Sequence, residues 1–248
     1  MKAALLALQF LTVVSIAPRL EAGAADLRRS LAFFPAVGLL LGGLLAGFDW
    51  AARGLWPSPV VGAMEAAWLA LLTRGLHMDG LADTADGLAS GFDAARSLEV
   101  MRDSRSGALG VLAVVLVLLL KATGLAALSA GGAATGFFCL VPCLARWGIN
   151  VLGALSPYAR PGEGLGRAFT GAGAARALPA AGLTALGAAY LLGGAAGLAA
   201  FAGVTVLSAA AAAWFRHRLG GVTGDVLGAH AEVTEVVLVL LFCRLSGG

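Results

Sequence analysis

The sequence predicts an all-α, polytopic membrane helix bundle with about seven to eight transmembrane helices, forming a single integral membrane domain over residues 1–248. Hydrophobic residues make up 59% of the chain and charged residues 12%, with a mean hydropathy of +0.89, whereas soluble domains carry about 25% charged residues. The apolar runs are continuous and do not alternate as they would in a membrane β-barrel. The 36 glycines suit the close approach of helices in lipid.

Eight hydrophobic segments predict the helices in order. They lie at residues 3–17, 30–50, 58–77, 107–129, 135–156, 178–197, 199–215 and 232–245. A membrane-spanning helix needs about 20 residues, so the short first and last segments could be tilted or re-entrant. Gly-rich sequence separates the sixth segment from the seventh, and their boundary is not defined by composition.

The connections between these segments differ in charge. Arginines concentrate in the connections 18–29, 78–106, 157–177 and 216–231, whereas the other connections contain only Arg53, with Lys2 and Arg244 at the chain ends. The positive-inside rule places the arginine-rich set in the cytoplasm. We therefore expect an integral protein of the bacterial cytoplasmic (inner) membrane, in contact with the lipid bilayer. The net charge of +3 does not imply a nucleic-acid partner, because the basic residues are spread over loops.

The segment from Arg74 to Arg105 is the strongest functional signal. It contains six of the 14 acidic residues, namely Asp79, Asp83, Asp86, Asp93, Glu99 and Asp103. Carboxylates at the end of a membrane helix are costly to maintain and indicate a functional site. Because the arginine-rich connections are assigned to the cytoplasm, this acidic active-site segment is expected to face the cytoplasm.

Three of these carboxylates predict a metal site. Asp79, Asp83 and Asp86 are spaced i, i+4, i+7, so on a helix they fall within about 60° of one another, in a stripe that continues the third segment out of the membrane. Carboxylates this close repel one another unless a cation neutralises them. Mg²⁺ binds through few carboxylates and bridges substrate phosphates. The alternative is a solvated acidic helix end, which Gly80 and Gly87 would weaken.

A second short helix is predicted to repeat this pattern. Glu99, Arg102 and Asp103 stand at i, i+3, i+4, and Ser104 and Arg105 follow directly. If this helix packs beside the first, Asp103 can share the metal site, and the two arginines can hold phosphate oxygens. The alternative is an ordinary salt bridge between Glu99 and Arg102 within the helix.

Other polar residues are weaker candidates. His77 lies one turn before the stripe and could be a base, a phosphate contact or a structural residue, and Arg74 stands at the margin of the same segment. Arg146 and Asn150 share a face of the fifth segment at i, i+4, which fits either a pocket for a polar ligand or an interhelical hydrogen bond.

The segment GGVTGDVLGAHAEVTE near the C-terminus supplies Thr223, Asp225 and Glu232. Its glycines could let backbone N–H groups approach an anion. Asp225 could bind a metal, a sugar hydroxyl or a base edge. The alternative is a plain loop.

Four segments together resemble the cobalamin synthase family, also called adenosylcobinamide-GDP ribazoletransferases. They are RSLAFFPAVGLLLG at 29–42, TRGLHMDGLADTADGL at 73–88, EVMRDSRSGALGVLAVVL at 99–116 and GGVTGDVLGAHAEVTE at 220–235. The resemblance implies a membrane-bound, Mg²⁺-dependent enzyme. Its substrates would be adenosylcobinamide-GDP and α-ribazole or α-ribazole 5′-phosphate, and its products adenosylcobalamin or its phosphate, plus GMP.

The resemblance and the residue pattern together assign roles. We expect metal binding by Asp79, Asp83, Asp86 and Asp103, and catalysis by Asp83, Asp86, His77, Arg102 and Arg105. The expected substrate contacts are Arg74, Glu99, Ser104, Arg146, Asn150, Thr223, Asp225 and Glu232. One carboxylate of the cluster, or His77, would take the proton of the attacking hydroxyl. The sequence does not decide whether the protein forms a homo-oligomer.

Two other functions are considered. DTADG at 83–87 partly resembles the CDP-alcohol phosphotransferase signature, but Ser90 and Gly91 occupy the places of its Ala-Arg. A transporter would account for Lys121 and Arg146 within apolar segments. However, carriers usually bind substrate near the membrane midplane, whereas the carboxylates here cluster at the predicted cytoplasmic face.

The charge asymmetry predicts the sidedness of the protein. In a variant with Cys139, Cys143 and Cys243 replaced by Ala, a cysteine at position 93 should react with an impermeant thiol reagent only in inside-out vesicles. A cysteine at position 53 should react only in intact spheroplasts. Labelling of position 93 from the outside would contradict the predicted orientation.

Overall fold

The computed structural model describes residues 1–16, 22–91, 93–103, 105–131, 135–162 and 164–246. The helices in this part of the chain are α1 (Lys2–Leu11), α2 (Ala24–Ser30), α3 (Phe34–Ala52), α4 (Ser58–Leu72), α5 (Leu76–Ala89), α6 (Ala94–Val100), α7 (Ala108–Gly131), α8 (Thr135–Leu155), α9 (Gly171–Ala175), α10 (Leu178–Leu219) and α11 (Gly224–Ser246). Short 3₁₀ turns lie at Leu31–Phe33 and Leu165–Phe169. Helices make up 83% of the residues that the structure describes, and these residues form no strand. The predicted all-α membrane bundle is confirmed.

Five helical stretches of the described chain are long and apolar enough to cross a membrane. They are Ala24–Ala52, Ala108–Gly131, Thr135–Leu155, Leu178–Leu219 and Gly224–Ser246. The helices α1 and α4 are apolar but shorter. Each of the eight predicted segments therefore contains helix, while the number that cross the bilayer stays a prediction.

Helix α8 forms the centre of the bundle and packs against α3, α10 and α11. Its contact with α3 depends on small residues, because a Cβ atom at Gly38 would lie 2.5 Å from the Pro142 carbonyl oxygen. A Cβ at Gly42 would likewise lie 2.5 Å from Cα of Cys139. Close backbone approach of this kind is how helices associate in lipid, where no hydrophobic effect drives them together.

The sixth and seventh predicted segments are the two arms of α10. The helix is interrupted at Gly194, whose φ of 52° and ψ of −133° are not helical; a positive φ is readily accessible to glycine. Trp147 of α8 contacts both arms, since a Cβ at Gly182 would lie 3.2 Å from its ring and the ring stacks on Phe201 at 5.2 Å. The two arms therefore lie side by side on α8.

Two predicted boundaries are wrong. The third segment does not run through residue 77, because Arg74 (φ 54°) and Gly75 (φ 65°) adopt left-handed backbone, which ends α4 at Leu72. The carboxylates thus lie on a separate helix, α5. The predicted polar connection at 216–231 is also too long, since α11 begins at Gly224.

A network of buried charges joins three of the long helices. The ammonium of Lys121 in α7 bonds both Glu232 and Glu235 of α11. The guanidinium of Arg146 in α8 bonds Glu235 and lies 3.3 Å from Nδ1 of His77 in α5. All five side chains are buried. Two cations face two carboxylates, so the charges balance where no water is available to solvate them.

We predict that removing the Lys121 ammonium from this network strongly lowers the stability of the protein. Lys121→Met should lower the free energy of unfolding in detergent by about 3–5 kcal/mol, because the buried carboxylate of Glu232 loses its cation and Glu235 keeps only Arg146. Lys121→Met combined with Glu232→Gln should recover part of the loss. The control is Lys2→Met, which breaks the exposed pair with Asp26 and should cost less than about 1 kcal/mol. Equal stabilities of the Lys121 and Lys2 variants would contradict the network.

Candidate functional site

The polar connections meet at one end of the bundle, around α5. Tyr158 and Val222 form an isolated parallel bridge between two of them. Arg160 donates hydrogen bonds to a carboxylate oxygen of Asp225 at 2.7 Å and to the carbonyl of Met101 at 3.3 Å. Three connections predicted to share one side of the membrane thus come together.

Helix α5 crosses α11 closely because of glycines. A Cβ at Gly80 would lie 2.7 Å from the carbonyl oxygen of Asp225, and one at Gly228 would lie 3.2 Å from Cα of His77. Gly87 similarly makes room for Met101. The sequence suggested that Gly80 and Gly87 weaken this helix. In the structure they permit the contacts that bring Asp225 to the carboxylate stripe.

The carboxylate of Asp83 is the electrostatic centre of the site. Partial burial, followed by the negative charges of Asp79, Asp225 and Asp86, raises the pKa of Asp83 to about 6, while Arg160 opposes the rise. Asp79 and Asp83 come from α5, whereas Asp225 comes from the first turn of α11. The fold therefore concentrates negative charge from two helices at one place.

Asp86 makes structural hydrogen bonds to the start of α7. Its two carboxylate oxygens accept backbone N–H groups from Gly107 at 2.6 Å and from Gly110 at 2.7 Å. These donors lie at the start of α7, where free N–H groups favour a carboxylate. Asp86 thereby fastens α5 to α7, and only its remaining lone pairs are left for a metal.

The second predicted acidic helix does not join the stripe. Helix α6 ends at Val100, so Arg102 and Asp103 are not in the expected helical register. Asp103 pairs with Arg105 at 2.7 Å, and this hydrogen bonding lowers the pKa of Asp103 to about 2. Asp103 is not among the charges that act on Asp83. Its assignment as a metal ligand is therefore not favoured.

The predicted roles of the neighbouring residues Glu99 and Arg105 need correction as well. Glu99 pairs with Arg96 at 2.8 Å, and not with Arg102, on the protein surface. Arg105 is largely exposed, with 87% of its side chain accessible, which does not favour a phosphate contact. Ser104 lies outside the described residues.

A cavity of about 620 Å³ opens beside the carboxylates. Its polar wall consists of His77, Asp79, Arg102, Tyr158, Arg160 and Asp225. Glycines widen it, and Phe34, Ile149, Phe169 and Leu227 supply apolar surface. Among the described residues, the guanidinium of Arg102 has no protein partner. The cavity thus combines two carboxylates with two guanidinium groups, the combination that binds cations and phosphates.

Several predicted substrate contacts turn away from this cavity. Arg146 and Glu232 belong to the buried network, and Asn150 donates to the carbonyl of Leu31 at 2.9 Å. The hydroxyl of Thr223 is buried, where it accepts the N–H of Val226 and lies 3.2 Å from Asp225. These bonds within the protein favour a structural role, although Nε of Arg146 and Oδ1 of Asn150 have no partner among the described residues.

Sequence reasoning missed Arg160 and Tyr158. Arg160 counted only as one of the arginines that indicate topology. The available signal was the glycine-rich surroundings of both residues, at Gly162, Gly164 and Gly166, since glycines often allow a ligand close to the backbone.

The chain is similar to known proteins over nearly its whole length. A profile described as cobalamin-5-phosphate synthase matches residues 3–243. The adenosylcobinamide-GDP ribazoletransferase of Geotalea daltonii is 38% identical over 241 residues, which cover 97% of this chain and 96% of that protein. The enzyme of the same name from Thermosynechococcus vestitus is 42% identical over 242 residues, covering 95% and 93%. No solved structure matches.

The raised pKa of Asp83 has a consequence for stability. Its pKa of about 6 compares with an ordinary value of 3.8, so stability contributed by the protonated form is full below about pH 4 and is lost as the pH rises through 6. In EDTA at pH 8, Asp83→Asn should therefore unfold at a higher temperature than the parent, and the two should converge near pH 4.

The matched control for this experiment is Glu99→Gln, which removes a carboxylate from an exposed pair. It should change the unfolding temperature little at either pH. If Asp83→Asn is no more stable than the parent at pH 8, carboxylate crowding at Asp83 is not the dominant interaction.

Proposed function

Because the chain belongs to the cobalamin-5-phosphate synthase family, we propose that it joins adenosylcobinamide-GDP to α-ribazole or α-ribazole 5′-phosphate. The products are adenosylcobalamin or its phosphate, and GMP. The observation that carries the proposal is the convergence of Asp79 and Asp225 with Arg102 and Arg160 around one cavity. Asp83 lies close enough to Asp79, Asp225 and Arg160 for their charges to act on it. Phosphoryl transfer depends on positioning and on stabilising charge at phosphate oxygens, and these groups supply both.

We propose Mg²⁺ as the cofactor, held by Asp79 and Asp83 with Asp225 nearby. Among the described residues, no three His, Cys, Asp or Glu side chains are close enough to enclose an ion. Mg²⁺ is usually held by one or two carboxylates, with waters and substrate phosphates completing its shell. A bound cation would relieve the crowding of carboxylates that raises the pKa of Asp83. Bound Mg²⁺ would neutralise phosphate charge.

The arginines of the cavity would bind the diphosphate. Arg160 is fixed by its bonds to Asp225 and to the Met101 carbonyl, and its buried Nε has no partner among the described residues. A guanidinium held in place can donate to two phosphate oxygens without losing much entropy. Arg102 stands on the same cavity wall and would bind a further oxygen.

A carboxylate of this cluster is the candidate for the base, because a carboxylate can accept a proton from a hydroxyl within hydrogen-bond reach. The carboxylate that does not bind the cation would take the proton of the ribose hydroxyl as the oxygen attacks phosphorus. His77 is less suited because its ring lies against Arg146 in the buried network.

We further propose that the site faces the cytoplasm from the inner membrane. The arginine-rich connections gather at the end of the bundle that holds the cavity, as the positive-inside rule requires. The transporter alternative loses its main support, because the deep charges Lys121 and Arg146 are paired with Glu232 and Glu235.

Turnover by the purified protein tests the function directly. In detergent with Mg²⁺, the protein should release GMP from adenosylcobinamide-GDP only when α-ribazole is present. EDTA should abolish the reaction and added Mg²⁺ should restore it. Asp83→Asn should lower kcat by about 10²–10³-fold while leaving the protein folded, because the transition state loses a charged partner. Activity that persists in EDTA would remove the metal assignment.

A pair of arginine variants tests the diphosphate contact. Arg160→Lys should lower kcat/KM by at least about tenfold, because lysine keeps the charge but loses the planar fork. Arg105→Lys is the control, since Arg105 is exposed and pairs with Asp103; it should remain within about twofold of the parent. The reverse order of effects would return Arg105 to the phosphate site.

A further inference from the structure

A second cavity, of about 530 Å³, lies between α5 and α7. Its walls include Arg74, Met78, Asp79, Ala82, Ser106 and Val114. Leu76 and Asp79 line both this cavity and the cavity that contains Arg102 and Arg160. Asp79 therefore stands where the two cavities approach each other.

The two cavities touch different faces of α5. His77 and Gly80 face the first cavity, and Met78 and Ala82 face the second. At about 100° per residue, these two faces point about 150° apart. The stripe of Asp79, Asp83 and Asp86 lies on the other side of the helix, in the wider arc of about 210° between the two faces. The carboxylates proposed to act on phosphorus are thus flanked by one cavity on each side.

We propose that the cavity between α5 and α7 binds the acceptor nucleoside, and that the cavity with Arg102 and Arg160 binds the diphosphate donor. This inference rests on the proposed function. Displacement at phosphorus places the attacking and leaving oxygens in line, on opposite sides of the phosphorus. Two cavities that meet at Asp79 deliver the two substrates from opposite flanks, which a single shared cavity would not.

The chemistry of each cavity supports this assignment. Met78, Ala82 and Val114 give the second cavity an apolar wall, which suits a flat aromatic base. Arg74 and Ser106 add polar groups that can contact a ribose or its 5′-phosphate. The first cavity holds Arg102 and also Arg160, which Asp225 and the Met101 carbonyl hold in place. Two guanidinium groups on one wall suit a diphosphate.

In the proposed transfer, the bond that forms is matched by a bond that breaks, and the proton has an acceptor. The ribose oxygen of the acceptor forms a bond to the phosphorus that carries cobinamide. The bond from that phosphorus to the bridging oxygen breaks, and GMP leaves with that oxygen and the electron pair. The hydroxyl proton passes to a carboxylate of the stripe, from which it is released to water.

Filling the second cavity tests the assignment. Val114→Phe replaces a small side chain in its wall with a phenyl ring and should raise KM for α-ribazole by about tenfold or more. KM for adenosylcobinamide-GDP should stay within about twofold of the parent. Leu112→Phe is the matched control, because Leu112 is exposed on another face of α7; both KM values should stay unchanged. A rise in the donor KM with Val114→Phe, or no change in either, would overturn the inference.

A binding measurement separates this inference from the proposed function. Calorimetry of α-ribazole with the folded protein, without donor, should detect binding to the parent and to Leu112→Phe and a loss of binding for Val114→Phe. If the parent turns over and the Val114 variant binds α-ribazole normally, only the inference fails. If the parent neither binds α-ribazole nor releases GMP, the proposed function fails.

The phosphorylated acceptor gives an independent comparison. Arg74→Ala should raise KM for α-ribazole 5′-phosphate several-fold more than KM for free α-ribazole, because only the former carries the anion that a guanidinium binds. Equal changes for the two acceptors would show that Arg74 does not contact the phosphate.

Discussion

The buried charge network is the constraint on which the active end of the molecule depends. Lys121, Arg146, Glu232 and Glu235 must face one another, because an unpaired charge in lipid is strongly unfavourable. This requirement sets the rotation of α7, α8 and α11 about their axes, and His77 ties α5 to the same centre. Asp225 lies about two turns before Glu232 on α11, so the network that fixes this helix also fixes where Asp225 meets the stripe.

Close backbone contact then brings like charges together. Gly80 and Gly228 allow α5 and α11 to cross without intervening side chains, which leaves Asp79 and Asp83 facing Asp225 with Arg160 as their nearest counter-charge. Such an arrangement lowers stability at neutral pH, because part of the repulsion is not compensated. The bundle tolerates this repulsion because its stability comes from apolar packing and from the balanced charge network, which lie elsewhere in the molecule. The divalent cation proposed above would relieve this repulsion.

The same helix also divides the space around the reacting centre. One face of α5 borders the cavity with the arginines, and another borders the cavity against α7. Asp86 holds the second face in place by capping α7. In the proposed reaction, this short helix would separate the two substrates and present both to one phosphate. The left-handed backbone at Arg74 and Gly75 makes this possible, because it lets α5 run in a different direction from α4.

The sequence by itself determined the all-α membrane class, the presence of helix in every apolar segment and the position of the acidic segment, because composition and periodicity are local properties of the chain. Hydropathy could not reveal the break before α5, which depends on two backbone dihedral angles. Only the tertiary structure decided which charged groups meet. Asp225 joins Asp83 from more than 100 residues away, Asp103 pairs with nearby Arg105, and Arg146 turns inward to Glu235. Spacing along the chain places residues on a helix face, but the partners of that face are set by how distant helices pack.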